Sequence, residues 1–79
     1  MPHDPDSLGV ADPRRVFGLR LAEARRAAGL SQEALAHDSG LARSYLGGVE
    51  RGKRNISLVN ICRVAAALGI RPADLLSSL

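Results

Sequence analysis

Residues 31–52 read SQEALAHDSGLARSYLGGVERG, and this stretch predicts two short helices joined by a tight turn. Ser31 is a typical helix N-cap residue, and Leu30 before it forms a hydrophobic staple with Leu35 inside the helix. Gly40 marks the end of this helix, because glycine is favoured just beyond a helix C-terminus. The first helix of the pair therefore runs from its serine cap to about two residues before that glycine.

The second helix of the pair covers about residues 42–50 and contains two adjacent glycines. Leu46 and Val49 lie three positions apart on one face, and the next glycine marks the helix end. Because glycine lowers helix stability by about 1 kcal/mol relative to alanine, the Gly47-Gly48 pair requires an explanation. Two short helices joined by a glycine-containing turn form a helix-turn-helix.

Three further helices flank this pair. Before it, Asp12 and Pro13 suit the N-cap and the first helical position, and apolar residues recur at helical spacing until Gly29. After it, Ser57 caps a fourth helix and Pro72 opens a short fifth helix. The positions assigned to the core face of the fourth helix are Leu58, Ile61, Cys62, Ala65 and Leu68. The expected fold is an all-α, compact five-helix bundle with a central helix-turn-helix.

Composition also favours one small helical domain. The chain has 79 residues, of which 46% are hydrophobic, with one Tyr, one Phe and no Trp, so aliphatic side chains must fill the core. Residues 1–12 hold three acids, no Lys or Arg and no apolar period, which predicts a flexible N-terminal arm before a domain over residues 13–79. With one cysteine, no signal peptide and no membrane span, the cytoplasm is the expected location.

No group of residues indicates an enzyme. His3 lies in the predicted arm, His37 stands alone, and no two acids have a spacing typical of a catalytic pair. The glycines do not form a GxxxxGK[ST] phosphate loop. We therefore expect no catalytic residue, no metal and no cofactor.

Cations are concentrated beside the helix-turn-helix. Residues 13–79 carry a net charge of +6. Within residues 43–54, Glu50 is the one acid among four cations, which are Arg43, Arg51, Lys53 and Arg54. Such a cluster next to a helix-turn-helix indicates nucleic-acid binding, although an ordinary solvated loop has the same composition.

The string GLSQEALAHDSGLARSYLGGVERGKRNISLVNICRVAAALGI, preceded by RLAEAR and followed by PADLL, resembles the Cro/C1-type (XRE) helix-turn-helix regulators. The resemblance covers about residues 16–76 and includes SQEALA, SGL and YLGGVERG in the family's order and spacing. Within the family, SYLGGVERGKRNISLVNIC is most similar to the controller proteins of restriction-modification systems. Those proteins act as dimers and set the timing of endonuclease expression.

The resemblance implies a phage-repressor-like bundle that binds a palindromic operator as a homodimer and regulates transcription. The implied partners are double-stranded DNA, a second copy of the chain and RNA polymerase, with no membrane. An antitoxin-like protein-interaction module with autoregulatory DNA binding is the alternative. Two positions depart from the family pattern: Ala42 replaces a usual Ser or Thr, so the third helix is expected to lack a side-chain cap, and Ile56 replaces a frequent Pro.

Base reading is assigned by the resemblance to the start of the third helix, which lies in the major groove in this class of protein. Arg43 is expected to bind guanine through two hydrogen bonds. The Ser44 hydroxyl suits a base, a phosphate or its own helix equally well. Gly47 and Gly48 are expected to bring the helix backbone close to the bases, although packing of a neighbouring helix or an early helix end would also explain them.

Phosphate contacts are expected on both sides of the turn. Gln32 lies in the first turn of the second helix, where free N–H groups attract phosphate. The Tyr45 hydroxyl would bind a phosphate, unless its ring packs beside the second helix instead. The resemblance adds four residues from the loop after the third helix, which are Arg51, Lys53, Arg54 and Asn55.

Two further sets of residues have structural roles in this prediction. Arg25 and Glu50 match a family pair that joins the first helix to the end of the third, the alternative being two independent surface charges. The two-fold dimer is expected to use the fourth and fifth helices, although part of this apolar surface would instead complete the monomer core. The candidate dimer residues are Val59, Ile70, Leu76 and Leu79.

Overall fold

The computed structural model describes residues 12–79, so the predicted arm lies outside the described residues except for Asp12. Between residues 12 and 79 the chain forms helices and no strand, which confirms the predicted all-α class. None of these helices is long and apolar enough to span a bilayer. The helices are α1 (Pro13–Ala27), α2 (Gln32–Ser39), α3 (Arg43–Glu50), α4 (Leu58–Leu68) and α5 (Pro72–Leu76).

Side chains at the N-cap position fix the starts of three helices. Each cap satisfies a backbone N–H group that has no partner inside the helix. Ala42 before α3 provides no side-chain cap, as the sequence predicts. The capping oxygens belong to Asp12, Ser31 and Ser57, which accept hydrogen bonds from the backbone N–H groups of Arg14 (2.9 Å), Ala34 (3.0 Å) and Asn60 (3.1 Å).

One aliphatic core holds all five helices together, and every helix contributes to it. Burial of each such side chain stabilises the fold by about 1.5–3 kcal/mol. Because α3 supplies two of the six largest fully buried side chains, the helix-turn-helix is part of the core and not an appendage. These six side chains are Leu21, Leu35, Leu46, Val49, Val64 and Leu75.

The predicted core face of α4 is wrong at two positions. Leu58 is 71% exposed and Cys62 is also exposed, whereas Val64 is fully buried. The sequence of α4 carries two neighbouring apolar stripes, and either fits a helical period. The side of α4 that carries Val64 packs against α2 and α5. The side that carries Leu58 and Cys62 therefore faces solvent.

The backbones of α1 and α3 approach each other closely at Gly18. A Cβ atom at this position would lie 2.6 Å from the carbonyl oxygen of Glu50 and nearer still to that of Val49. Carbonyl oxygens of a helix end cannot move aside as a flexible side chain can, so glycine is required here. The missing side chain at Gly18 therefore lets the C-terminal end of α3 rest directly on α1.

Candidate DNA-binding site

The N-terminal turn of α3 presents two polar side chains to solvent. Arg43 and Ser44 are both exposed, and neither side chain bonds to any other residue between 12 and 79. The Ser44 hydroxyl therefore does not bond its own helix, which leaves a base or a phosphate as its partner. Both side chains are available to a molecule outside the chain.

The opposite end of α3 is held by a buried ion pair. The Arg25 guanidinium donates from Nε to Glu50 Oε2 at 2.7 Å and from Nη2 to Glu50 Oε1 at 3.1 Å, with side-chain exposures of 11% and 6%. The hydrogen bonds to Glu50 raise the pKa of Arg25 above its usual value. Arg25 also donates from Nη1 to the carbonyl oxygen of Leu30 at 2.9 Å. The structure thus joins the two residues that the resemblance pairs.

Gln32 extends this ion pair to α2. Its Nε2 donates to Glu50 Oε1 at 2.8 Å, so one carboxylate links α1, α2 and α3. A side-chain amide nitrogen carries two hydrogens, and this bond uses one of them. The geometry gives Gln32 an internal structural role beside the phosphate contact expected for it.

Long polar side chains cover the two glycines of α3. Both glycines are buried, yet the nearest atoms to a Cβ at Gly47 would be Arg51 Nη1 at 3.1 Å and Gln32 Oε1 at 3.6 Å. At Gly48 the nearest atom would be Arg54 Cγ at 2.7 Å. No helix backbone is among these neighbours, and α3 continues to Glu50. The structure therefore does not support an early helix end as the reason for the glycines, and what approaches Gly47 from a neighbouring helix is the end of the Gln32 side chain of α2.

Tyr45 lies between α4 and the loop that follows α3. It is half-buried and packs against the core. Its hydroxyl oxygen accepts a hydrogen bond from Asn60 Nδ2 at 3.2 Å, and Arg54 Cζ lies 6.0 Å from the ring centroid. The ring therefore contacts a cation, while the hydroxyl still has its own hydrogen to donate.

The loop between α3 and α4 carries a dense set of exposed polar groups. All four of the loop residues proposed from the resemblance, Arg51, Lys53, Arg54 and Asn55, are exposed. Arg15 of α1 lines a shallow depression of about 350 Å³ together with Arg51 and Lys53. The sequence does not predict a role for Arg15 at this site, because the residue lies outside the apolar period of the first helix and nothing local connects it to a loop 36 residues away.

The candidate dimer residues fall into two groups. Val59 and Leu79 are 62% and 59% exposed, so no described part of the monomer covers them. Ile70 and Leu76 are partly buried and pack against the core, which matches the alternative that some of this surface completes the monomer.

Comparison with known proteins agrees with this geometry. A family model described as helix-turn-helix matches residues 21–75. Control protein C.BamHI from Bacillus amyloliquefaciens is 44% identical over 64 residues, covering 80% of this chain and 79% of that protein. Control protein C.MunI from a Mycoplasma species is 42% identical over 64 residues, covering 80% of this chain and 86% of that protein.

A solved structure of a controller protein has a similar fold. The restriction-modification controller protein C.AhdI from Aeromonas hydrophila has a TM-score of 0.78 and 63% identity to this chain, covering 78% of this chain and 94% of its own. The chain belongs to the Cro/C1-type (XRE) family of helix-turn-helix DNA-binding transcription regulators, and restriction-modification controller proteins are among its relatives.

Proposed function

We propose that this chain is the controller protein of a restriction-modification system and that it binds a palindromic operator as a homodimer. The observation that carries the proposal is the contrast between the two ends of α3. Its N-terminal turn presents Arg43 and Ser44 without internal partners, whereas Glu50 at its other end is clamped to α1 and α2. A helix held in this way presents its free end to the major groove at a fixed angle.

Arg43 reads a guanine in this proposal, and Ser44 contacts a neighbouring base. A bidentate Arg–guanine contact is worth about 1–3 kcal/mol of discrimination against a wrong base. Gly47 and Gly48 keep this face of α3 free of side chains of its own, and the backbone at Gly47 would approach the bases once the Arg51 side chain lying over it moves toward the phosphates. The Cβ positions of these glycines meet side chains and no other backbone, which is compatible with such a movement.

Phosphate contacts supply affinity but no sequence choice. We assign them to six polar residues that surround the exposed end and face of α3. The loop members are exposed, and the remaining amide hydrogen of Gln32 and the hydroxyl hydrogen of Tyr45 are free to donate outward. The six residues are Gln32, Tyr45, Arg51, Lys53, Arg54 and Asn55.

A homodimer completes the proposal, because one reading helix contacts too few base pairs for strong specificity. Two copies related by a two-fold axis would read half-sites about 34 Å apart. The exposed Val59 and Leu79 belong to the proposed interface, together with the edges of Ile70 and Leu76. A regulator of this type acts in the cytoplasm, where RNA polymerase is its further partner at the promoter, and it carries out no catalysis.

Selection of bound sequences from a random DNA duplex pool tests the proposal directly. We expect a palindromic consensus with two half-sites one helical turn apart. A single asymmetric site would contradict the two-fold dimer. Absence of any sequence preference, combined with a stable complex with an unrelated protein on co-purification, would favour the antitoxin-like alternative.

Separate substitutions distinguish base readers from phosphate contacts. Arg43→Ala should change the ranking of operator variants, because it removes a base contact. Arg51→Ala and Lys53→Ala should weaken specific and nonspecific binding by similar factors and reduce the slope of log K against log salt by about 0.9 each. Arg71→Ala, which removes a cation at the start of α5, is the charge-matched control. An unchanged ranking with Arg43→Ala would remove this residue from the proposal.

A further inference from the structure

The side chain of Arg54 lies across Gly48. A Cβ at Gly48 would lie 2.7 Å from Arg54 Cγ, 3.7 Å from Cδ and 3.5 Å from Nε, so three successive atoms of the arginine run over the glycine. Any side chain at this position would have to push the arginine stem away. Glycine at position 48 therefore leaves room for this conformation of Arg54.

The far end of the same side chain reaches Tyr45. Arg54 Cζ lies 6.0 Å from the ring centroid, within the outer range of a cation–π contact. Tyr45 and Gly48 are three residues apart in α3 and therefore lie on one face of the helix. The stem and the guanidinium of Arg54 are thus both in contact with that face.

Asn60 fixes the ring from the other side of the loop. Its Nδ2 donates to the Tyr45 hydroxyl oxygen at 3.2 Å, and its backbone N–H is held by the Ser57 cap at 3.1 Å. Arg54 is exposed and has no carboxylate partner between residues 12 and 79. Its side chain thus lies over a glycine and near an aromatic ring, and no described carboxylate neutralises its charge.

We propose that Gly48 and Tyr45, with Asn60 behind the ring, form a seat that holds Arg54 ready for a DNA phosphate. Gly48 and Tyr45 are then positioning residues, which affect DNA affinity through Arg54. A guanidinium held in place before binding loses less side-chain entropy when it meets the phosphate. This inference rests on the proposed DNA binding and adds a reason for the second glycine of α3.

A double-mutant cycle between Gly48 and Arg54 tests the inference. Gly48→Ala should weaken operator binding but leave the salt slope near its wild-type value, because Arg54 keeps its charge and reaches the phosphate at a larger entropy cost. Arg54→Ala, in contrast, should lower the slope by about 0.9. In the Arg54→Ala background, Gly48→Ala should change affinity by less than about twofold. If Gly48→Ala weakens binding by the same factor in both backgrounds, or has no effect in either, Gly48 does not act through Arg54. Because alanine favours a helix more than glycine does, the melting temperature should not fall.

A second measurement, NMR of the free protein, tests the position of Arg54 without DNA. In the free protein, the Arg54 Nε–Hε NMR signal should carry a ring-current shift that is lost in Gly48→Ala and in Tyr45→Leu. Gly47→Ala is the matched control, because its Cβ would meet the Nη1 end of Arg51 at 3.1 Å and not Arg54. An unchanged Arg54 signal in Gly48→Ala would show that Gly48 does not position Arg54, and it would leave the proposed DNA binding unaffected. Failure of the wild-type chain to bind any operator would instead overturn the proposed function, whatever this signal shows.

Discussion

At the scale of single residues, Glu50 shows how a nearly enclosed charge is stabilised. Its two carboxylate oxygens accept three hydrogen bonds, two from Arg25 and one from Gln32. Enclosed charges are tolerated when their hydrogen-bonding capacity is met in this way. The fold loses stability when Arg25 or Glu50 is replaced by a neutral residue, because the charge of the other one is then buried without a partner.

Replacement of Glu50 should be far more destabilising than the same replacement on the surface. Glu50→Gln leaves the Arg25 cation without its counter-charge, and we expect a loss of about 3–5 kcal/mol in the free energy of unfolding. The control is Glu23→Gln, which breaks the exposed pair with Arg20 and should cost about 0–1 kcal/mol. Urea denaturation of the two variants measures the difference. Equal losses would show that the buried pair contributes no more than a surface pair.

The residues of the candidate site differ in how far the sequence predicts them. Arg43 and Ser44 are placed by their position at the start of a helix, which is local information. Partners as distant as Arg25 and Glu50 carry no local signal, so that pair came from a family resemblance. The arginine side chains that cover the glycines were not predicted, because the conformation of a long side chain depends on the assembled surface.

At the scale of elements, the start of α1 carries a charge that responds to acid. Asp12 accepts hydrogen bonds from both the side chain and the backbone N–H of Arg14. These bonds stabilise the ionised carboxylate and lower the pKa of Asp12 from its ordinary 3.8 to about 2. The folded state therefore binds this proton less readily than the unfolded chain does.

Acid should remove the contribution of Asp12 to stability. Because its folded pKa is depressed, this contribution is present above about pH 4 and is lost as the pH falls through about 2. Asp12→Asn keeps a capping oxygen but has no charge to titrate. The difference in unfolding free energy between wild type and Asp12→Asn should therefore shrink between these pH values. Parallel stability curves for the two proteins would contradict the contribution assigned to the Asp12 charge.

The contact between α1 and α3 predicts a strong effect at Gly18. Alanine would favour the helix by about 1 kcal/mol, but its Cβ would lie 2.6 Å from the Glu50 carbonyl oxygen. We expect Gly18→Ala to destabilise the fold by about 1–3 kcal/mol, as overpacking does, and to weaken operator binding by displacing α3. Gly47→Ala is the control, because only side-chain ends lie near its Cβ. Denaturation of both variants measures the effect on stability, and DNA titration of Gly18→Ala against the wild type measures the effect on binding.

Helix positions were predicted well because their signals are local. The capping residues Asp12, Ser31 and Ser57 mark their helix starts, and the structure has all three caps. Which face of α4 is buried depends on how α2 and α5 dock against it, so two adjacent apolar stripes could not be separated by period alone. The requirement for glycine at position 18 was missed for a related reason, since it exists only after two helices meet.

At the scale of the whole molecule, several large apolar side chains remain exposed. Leu58, Val59 and Leu79 are 71%, 62% and 59% exposed, and Leu19 on α1 is 66% exposed. Two of the four are on α4 and one is the last residue of the chain. Val59 and Leu79 belong to the proposed interface and Leu58 is next to Val59 in α4, whereas Leu19 lies beside the cations Arg15 and Lys53.

Charged substitutions should separate the dimer from the monomer fold. At an interface with two-fold symmetry, one substitution places a charge on each side, so Val59→Glu and Leu79→Glu should each raise the dimer dissociation constant at least about tenfold. Leu19→Glu is the matched control and should change the dimer dissociation constant by less than about twofold. Sedimentation equilibrium measures the constants. If Leu19→Glu raised the dissociation constant more than the other two substitutions, the dimer interface would be assigned to α1 instead.

The uneven anchoring of α3 has a consequence for how such proteins diversify. Ala42 adds no cap, and the next two side chains make no bond within the described chain. Exchanging residues 43 and 44 therefore breaks no internal bond, while the clamp at the far end keeps the scaffold unchanged. If these two residues read bases as proposed, new operator preferences are accessible through two adjacent codons, with little risk to folding.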